Sequence, residues 1–381
     1  MKDHWIINRC TLGGASTSNI WRILIQNKFR VHPKFWPRLW YSMALSGITA
    51  PLRMIERLRF NRKVKKHELT EDPVFIIGHW RSGTTFMHYM FAKDKSNGLV
   101  TNVETYAPHF FLAFPKFTTA LIDFSLPETR PMDEIKINAE LPGEEEHSMG
   151  AFDKYGFFPG QIFPKNTRTY VNYLTFENAK PKDLARWKKR YNFFVKKISF
   201  KNKGKRLILK NPANTYRVKH LVEMFPNAKF IHLYRNPYEV YSSTLKFHFS
   251  SFKIFALQTW DDEEVKQNVL DIYKETYDGF EERISSIPKE NWLDVRYEEF
   301  IKKPLETMEL VHTKLNISGF EQSKSLYQEY LDENKDYKPR VYNFSDELIT
   351  RVNDSCDFIL KKFNYDKLQP TGNKLKINTK F

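Results

Sequence analysis

The sequence predicts a three-layer α/β fold: a central parallel sheet flanked by helices, preceded by an N-terminal helical extension. Three observations lead there. Val74-Phe75-Ile76-Ile77 is a short continuous apolar run, the pattern of a strand buried on both faces. Strand patterns alternate with amphipathic helix patterns, and strand–helix–strand order implies right-handed crossovers and parallel pairing. The 381 residues leave ample room for a core, in one large domain or two, and an aromatic content of 15% argues for a packed globule over a disordered chain.

Taken in order, residues 1–70 read as a helical extension packed on the main domain. Asn19 to Phe29 is amphipathic, Phe35 to Leu45 is aromatic and apolar, and Arg53 to Lys66 is basic. Apolar groups beside Lys and Arg also suit a membrane interface, so peripheral membrane contact through residues 20–66 is the second reading of this segment. The main domain is expected over 71–366. Within it, Val74–Ile77 is the first strand, Gly78 to Gly83 a loop, and a helix starts near Thr84, where Phe86, Met87, Met90 and Phe91 recur at helical spacing. Leu99 to Val103 reads as a second strand ending at Glu104. Residues 105–200, rich in Pro and aromatics, read as helices and loops lining an acceptor pocket, with a basic amphipathic helix over Lys182 to Ile198. Further strands are expected at Arg206–Lys210, Lys229–Tyr234 and Trp292–Tyr297, and helices at Tyr216–Met224, Tyr238–Phe247, Val265–Ile284, Pro304–Leu315 and Asp346–Phe363. Residues 367–381 form a polar tail.

The net charge of +16 and pI near 9.5 suit anionic partners, but the excess is spread along the chain and selects no class among them. No nucleic-acid motif accompanies the charge. Two cysteines, Cys10 and Cys356, make no disulfide framework and point to a reducing compartment. No signal peptide and no spanning helix are expected, since no apolar run approaches about 20 residues. These features together suggest a cytoplasmic protein with peripheral membrane association as an option.

The chemistry concentrates at Gly78 to Thr85. Strand, glycine-bounded loop and helix start make an anion site, because the first-turn N–H groups are free to donate and the helix dipole favours negative charge. Gly78 and Gly83 have P-loop spacing, which makes the fold P-loop-like. Thr84, however, stands where a P-loop lysine belongs, Thr85 fills the hydroxyl position, and the basic residue Arg81 lies inside the loop. Provision for a triphosphate with magnesium is therefore missing. No aspartate follows the strand ending at Tyr234, where Arg235 stands instead, so no metal is expected.

Three stretches in order resemble the sulfotransferase superfamily, which uses 3′-phosphoadenosine 5′-phosphosulfate (PAPS). Arg81-Ser82-Gly83-Thr84-Thr85 resembles the 5′-phosphosulfate loop in the form shared by the carbohydrate and tyrosylprotein branches and many bacterial members. Phe230 to Ser243 resembles the 3′-phosphate motif, with Arg235 at the strand end and Ser243 eight residues on. Val295-Arg296-Tyr297 followed by Pro304 is similar to a segment whose tyrosine lies near the nucleotide. The resemblance implies transfer of a sulfuryl group from PAPS to a hydroxyl or amine acceptor by in-line displacement, releasing PAP. It implies that Arg81, Ser82, Gly83, Thr84, Thr85, Arg235, Ser243 and Tyr297 bind the nucleotide, and that Lys210 approaches the bridging oxygen. Trp80 is either an adenine platform or a core residue.

For the general base, the tyrosylprotein branch implies a glutamate near Glu104. His147 and Glu145, in the acidic cluster Glu144-Glu145-Glu146-His147, are the second candidates; a histidine suits proton removal near neutral pH. His79 and His88 read as structural. The acceptor stays open between carbohydrate, lipid and small molecule. The competing readings are a P-loop kinase or NTPase, and a non-enzymatic protein that binds polyanions or a membrane surface.

Overall fold

The computed structural model describes residues 11–129, 136–335 and 342–372. Among the described residues there are five strands: β1 (Val74–Ile77), β2 (Gly98–Leu99), β3 (Leu207–Lys210), β4 (Lys229–Tyr234) and β5 (Trp292–Arg296). They form one parallel sheet in the order β2-β3-β1-β4-β5, and helices flank it, as the alternation of patterns predicted. Among the described residues up to Phe152, the α-helices are α1 (Thr17–Gln26), α2 (Trp36–Ile48), α3 (Ala50–Lys66), α4 (Thr84–Lys93), α5 (Asn102–Tyr106), α6 (Pro115–Ser125) and α7 (Glu145–Phe152).

The chain divides into two compact units. The first gathers the described residues up to Glu71, Gly98–Leu209 and His248–Asp262; the second gathers Asp72–Asn97, Lys210–Phe247 and the chain from Glu263. In the second unit β1, β4 and β5 run in parallel register, Val74 beside Lys229 and Phe230 beside Trp292. Every residue of β1 is buried, and Phe75 stacks on Phe230 with ring centroids 5.4 Å apart. Parallel pairing puts the C-terminal ends of β1 and β4 on one edge, where open α/β sheets bind ligands. His232 of β4 is wholly buried and meets the Asp294 carboxylate at 2.7 Å, which lowers the Asp294 pKa against the opposing effect of burial.

In the first unit, the helix Pro181–Lys201 packs Trp187, Tyr191, Phe194 and Ile198 inward, and it contains the expected basic amphipathic helix. Lys197 on this helix is buried against Glu56 of α3 and also donates to the Pro108 carbonyl. Glu56 in turn accepts the N–H groups of Leu112 and Ala113.

Several expectations need correction. The strand expected over Leu99 to Val103 is only Gly98–Leu99, because Thr101 opens α5 with a capping box: its side chain and that of Glu104 satisfy each other's backbone N–H groups. The helix expected over Val265 to Ile284 is two, Asp262–Tyr277 and Phe280–Ile284, divided at Gly279 with φ +64°. The helix starting at Tyr238 runs on to Phe255. A helix at Phe320–Glu333 was not expected at all. Of the N-terminal extension, residues 1–10 lie outside the described residues, with Cys10 among them; of the polar tail, residues 373–381 do.

Candidate functional site

β1 ends at Ile77 and the chain turns sharply. Gly78 takes φ +137°, and a Cβ there would fall 2.2 Å from the Leu233 carbonyl oxygen, so the loop depends on the missing side chain. The Gly78 N–H is anchored by the Thr215 hydroxyl at 2.8 Å. Arg81 takes φ +71°, unusual for a residue with a long side chain and the kind of local strain that collects at functional sites. Gly83 takes φ +99° as the N-cap of α4, and a Cβ there would fall 2.2 Å from the Tyr297 ring. The loop therefore closes onto Tyr297 and offers the first turn of α4 to a ligand. A phosphate-sized anion fits this geometry, since the N–H groups of a first helical turn have no partner within the helix.

Five of the residues singled out in the sequence converge here. The Arg81 guanidinium donates through Nε to the Ser243 hydroxyl at 2.9 Å. Arg235, leaving β4, donates through Nη1 to the Arg81 carbonyl at 3.3 Å and stacks on the Tyr297 ring at 4.2 Å. Tyr297 touches the place where Gly83 lacks a side chain. The result is two arginines, a hydroxyl and an aromatic face around one loop. Burial alone would lower the Arg235 pKa, but Tyr297 and Glu239 outweigh it, and the net shift is upward, so the guanidinium stays charged.

The remaining loop residues are placed less directly. The Ser82 side chain is buried and donates to the His79 carbonyl at 2.6 Å, and its backbone N–H donates to the same carbonyl at 3.2 Å. Thr84 is buried and Thr85 half-buried. Lys210 is the last residue of β3 and is buried, so it is no surface lysine; the next residue, Asn211, donates its N–H to the Ile76 carbonyl. Trp80 is buried against His79 and Tyr216, in a core position. His79 shares a hydrogen bond of 2.8 Å with Thr276, and His88 is wholly buried.

The three candidate bases lie in the first unit. Glu104 is buried on α5; its Oε2 accepts from the Thr101 N–H and hydroxyl, both at 2.7 Å, and its Oε1 meets Lys201 at 2.8 Å. Glu145 is wholly buried at the start of α7 and accepts from the Tyr191 hydroxyl at 2.9 Å. The acidic cluster is thus not an exposed loop: Glu146 too is buried and accepts the Phe157 N–H. His147 on α7 is half-buried, 4.3 Å from the Phe158 ring centroid and 5.6 Å from that of Tyr106. Helices α5 and α7 touch, with Ser148 donating to the Glu104 carbonyl at 2.9 Å.

Two further groups belong to the cluster around this loop and were not read from the sequence. Thr215 carries no sequence signal; only the fold brings it to Gly78. Glu239 accepts from Arg235 Nε at 2.8 Å and also from Nη2, and its spacing four residues on from an arginine was legible. Among the described residues, no group of three or more His, Cys, Asp or Glu side chains is placed to hold a metal ion.

Comparison with known proteins bears on this geometry. The model of a family described as the sulfotransferase family matches residues 73–322. The chain is 31% identical over 367 residues to the omega-hydroxy-beta-dihydromenaquinone-9 sulfotransferase Stf3 of Mycobacterium bovis and to that of Mycobacterium tuberculosis, covering 95% of this chain and 93% of each relative. The fold is like that of sulfotransferase STF9 from Mycobacterium avium, with a TM-score of 0.68 at 15% identity over 89% of this chain and 88% of that one. It is also like sulfotransferase STF1 from Mycobacterium tuberculosis, with a TM-score of 0.59 at 14% identity over 84% and 88%. Neither the kinase reading nor the polyanion-binding reading gains support from these matches. The chain belongs to the sulfotransferase family and is an enzyme of that class.

Proposed function

We propose that the sulfuryl donor is PAPS and that the acceptor is a hydroxyl on an amphiphilic, lipid-like molecule. The observation that carries the donor assignment is the Arg81–Ser243 hydrogen bond, with Arg235 held on Tyr297 beside it. A nucleotide with anionic groups at both its 5′ and 3′ ends asks for two cationic positions at a fixed separation, and a guanidinium forks two donors onto phosphate oxygens. On this reading Arg81, Ser82 and the N–H groups of Gly83, Thr84 and Thr85 surround the 5′ group, while Arg235 and Ser243 take the 3′-phosphate. Lys210 lies at the bridging oxygen, where negative charge builds as the S–O bond breaks. Bound PAPS supplies the sulfuryl group; the chain supplies orientation and fixed positive charge.

The acceptor oxygen must lose a proton. We assign its removal to Glu104, whose carboxylate is held in one orientation by Thr101 and Lys201, and place His147 second and Glu145 third. The acceptor class rests on the 31% relatives, whose name specifies a hydroxylated menaquinone derivative, and on the aromatic content of residues 105–165. A cytoplasmic location with peripheral membrane contact through residues 20–66 belongs to the same reading. The test is transfer of labelled sulfate from PAPS to a terminally hydroxylated isoprenoid quinol in detergent, against a polar glycan. Turnover of the quinol alone supports the acceptor class. Detergent-independent turnover of the glycan contradicts it.

A further inference from the structure

Helix α2 is folded with its polar side inward. Its buried residues are Arg38, Ser42 and Ser46, four apart and therefore on one stripe. Each has a partner inside: Arg38 donates to the carbonyls of Ala256 at 2.7 Å and Lys253 at 3.0 Å, Ser42 to the Arg38 carbonyl at 2.9 Å, and Ser46 to the Ala15 carbonyl at 2.8 Å. What is left outside is apolar. Trp36 is exposed, Trp40 is 66% exposed and Ile48 75% exposed. After Thr49 the chain enters α3, which exposes Met54 and, four residues on, Leu58 at 76%. A water-facing helix normally has the opposite polarity, and a clustered apolar surface on a folded protein marks an interaction site.

The charge around this surface identifies what it meets. Arg57, Arg59, Arg62, Lys63, Lys65 and Lys66 are exposed on α3. Between Thr11 and Lys66 the only acidic residue is Glu56, which is buried with Lys197. An apolar face with tryptophans, bordered by cations without anions, matches the interface of an anionic bilayer. Face-to-face pairing with a second copy would set like charges against each other. Among the described residues no helix is long and apolar enough to cross a membrane, so the contact is interfacial.

We propose that the outward faces of α2 and α3 dock this enzyme onto the surface of an anionic lipid bilayer, with Trp36, Trp40, Ile48 and Leu58 inserted at the headgroup level. The proposal deepens the lipid-like acceptor reading by giving the enzyme a route to an acceptor dissolved in the bilayer. It is tested without acceptor, so the two can fail separately.

The full chain is sedimented with vesicles of phosphatidylglycerol and phosphatidylcholine, and with phosphatidylcholine alone. It is compared with the variant Trp40→Ser/Ile48→Ser/Leu58→Ser, whose melting temperature and PAP binding report that it is folded. The single variant Trp40→Ser serves if the triple variant does not fold. The expected result is binding to the anionic vesicles, weaker binding to the neutral ones, and a loss of about tenfold or more in the triple variant, smaller in the single one. Absence of vesicle binding by the unaltered chain, or equal binding by unaltered and altered chains, overturns the proposal. So does a dimer, seen by light scattering, that the substitutions dissociate while vesicle binding stays absent; the face is then a contact between copies. Vesicle binding together with no turnover of the quinol leaves the surface standing and removes the acceptor class.

Discussion

Gly83 has no room for a side chain. Its φ of +99°, and the 2.2 Å that would separate a Cβ from the Tyr297 ring, mean that Gly83→Ala must displace either the loop or the ring. The expected cost is about 1–3 kcal/mol of stability, with PAP binding weakened at least tenfold. A melting curve and a binding titration check both, and Gly83→Ala/Tyr297→Ala is expected to recover part of the stability but not the affinity. The proposed base separates on kinetics. Glu104→Gln is expected to lower kcat by roughly 10²–10⁴ with little change in KM if Glu104 removes the proton. If Glu104 only caps α5, the same variant loses thermal stability and keeps kcat, and His147→Ala carries the kcat loss instead. At this scale Arg81, Arg235 and Ser243 could be singled out through the resemblance of their motifs to the sulfotransferase superfamily, and the fold brings the three together. Thr215 could not, because its approach to Gly78 depends on a turn whose placement no local pattern encodes. Nor could the engagement of Glu104 with Lys201, far along the chain.

At the scale of elements, α3 and the helix Pro181–Lys201 are joined by the buried pair of Glu56 and Lys197. Burial lowers the Lys197 pKa and Glu56 opposes that shift, so the lysine depends on its partner to stay charged. Glu56→Ala strands a buried ammonium and two N–H groups, with an expected loss of about 3–5 kcal/mol measured by denaturant unfolding. Adding Lys197→Met is expected to recover much of it; no recovery would mean that the N–H groups of Leu112 and Ala113 carry the cost. The helix Pro181–Lys201 was legible because its periodicity is sustained over many residues, whereas that at Phe320–Glu333 was missed. The strand at Leu99 was overextended although the sequence holds the correcting signal, a threonine followed three residues later by a glutamate. Helix α2 was legible as a helix but not in its orientation. An apolar stripe was expected to face the protein, and the arginine and two serines that do so find their partners only in the folded chain.

For the whole molecule, the sheet and its helices followed from the alternation of patterns, while the division into two compact units, each drawn from separated stretches, has no local signature. Global stability should also depend on acid. Burial pushes the His109 pKa down to about 3, with Lys197 adding to the shift, and burial pushes His248 down to about 4. Both are neutral when folded, whereas an unfolded histidine takes a proton near pH 6.5. The unfolded chain thus binds more protons between pH 4 and 6.5, so this stability is complete above pH 6.5 and is lost as the pH falls, about 3 kcal/mol for His248 by pH 4. Melting temperatures should drop over that range, and less steeply in His248→Gln; a flat profile contradicts the prediction. A nucleotide site proposed to read both ends of PAPS is tested by calorimetry of PAP binding in EDTA, for the unaltered chain and for Arg235→Ala with AMP as control. The expected result is tight PAP binding, AMP at least tenfold weaker, and a loss of about 1.5–3 kcal/mol for PAP in the variant. Equal binding of PAP and AMP, or PAP binding unchanged by Arg235→Ala, would contradict it.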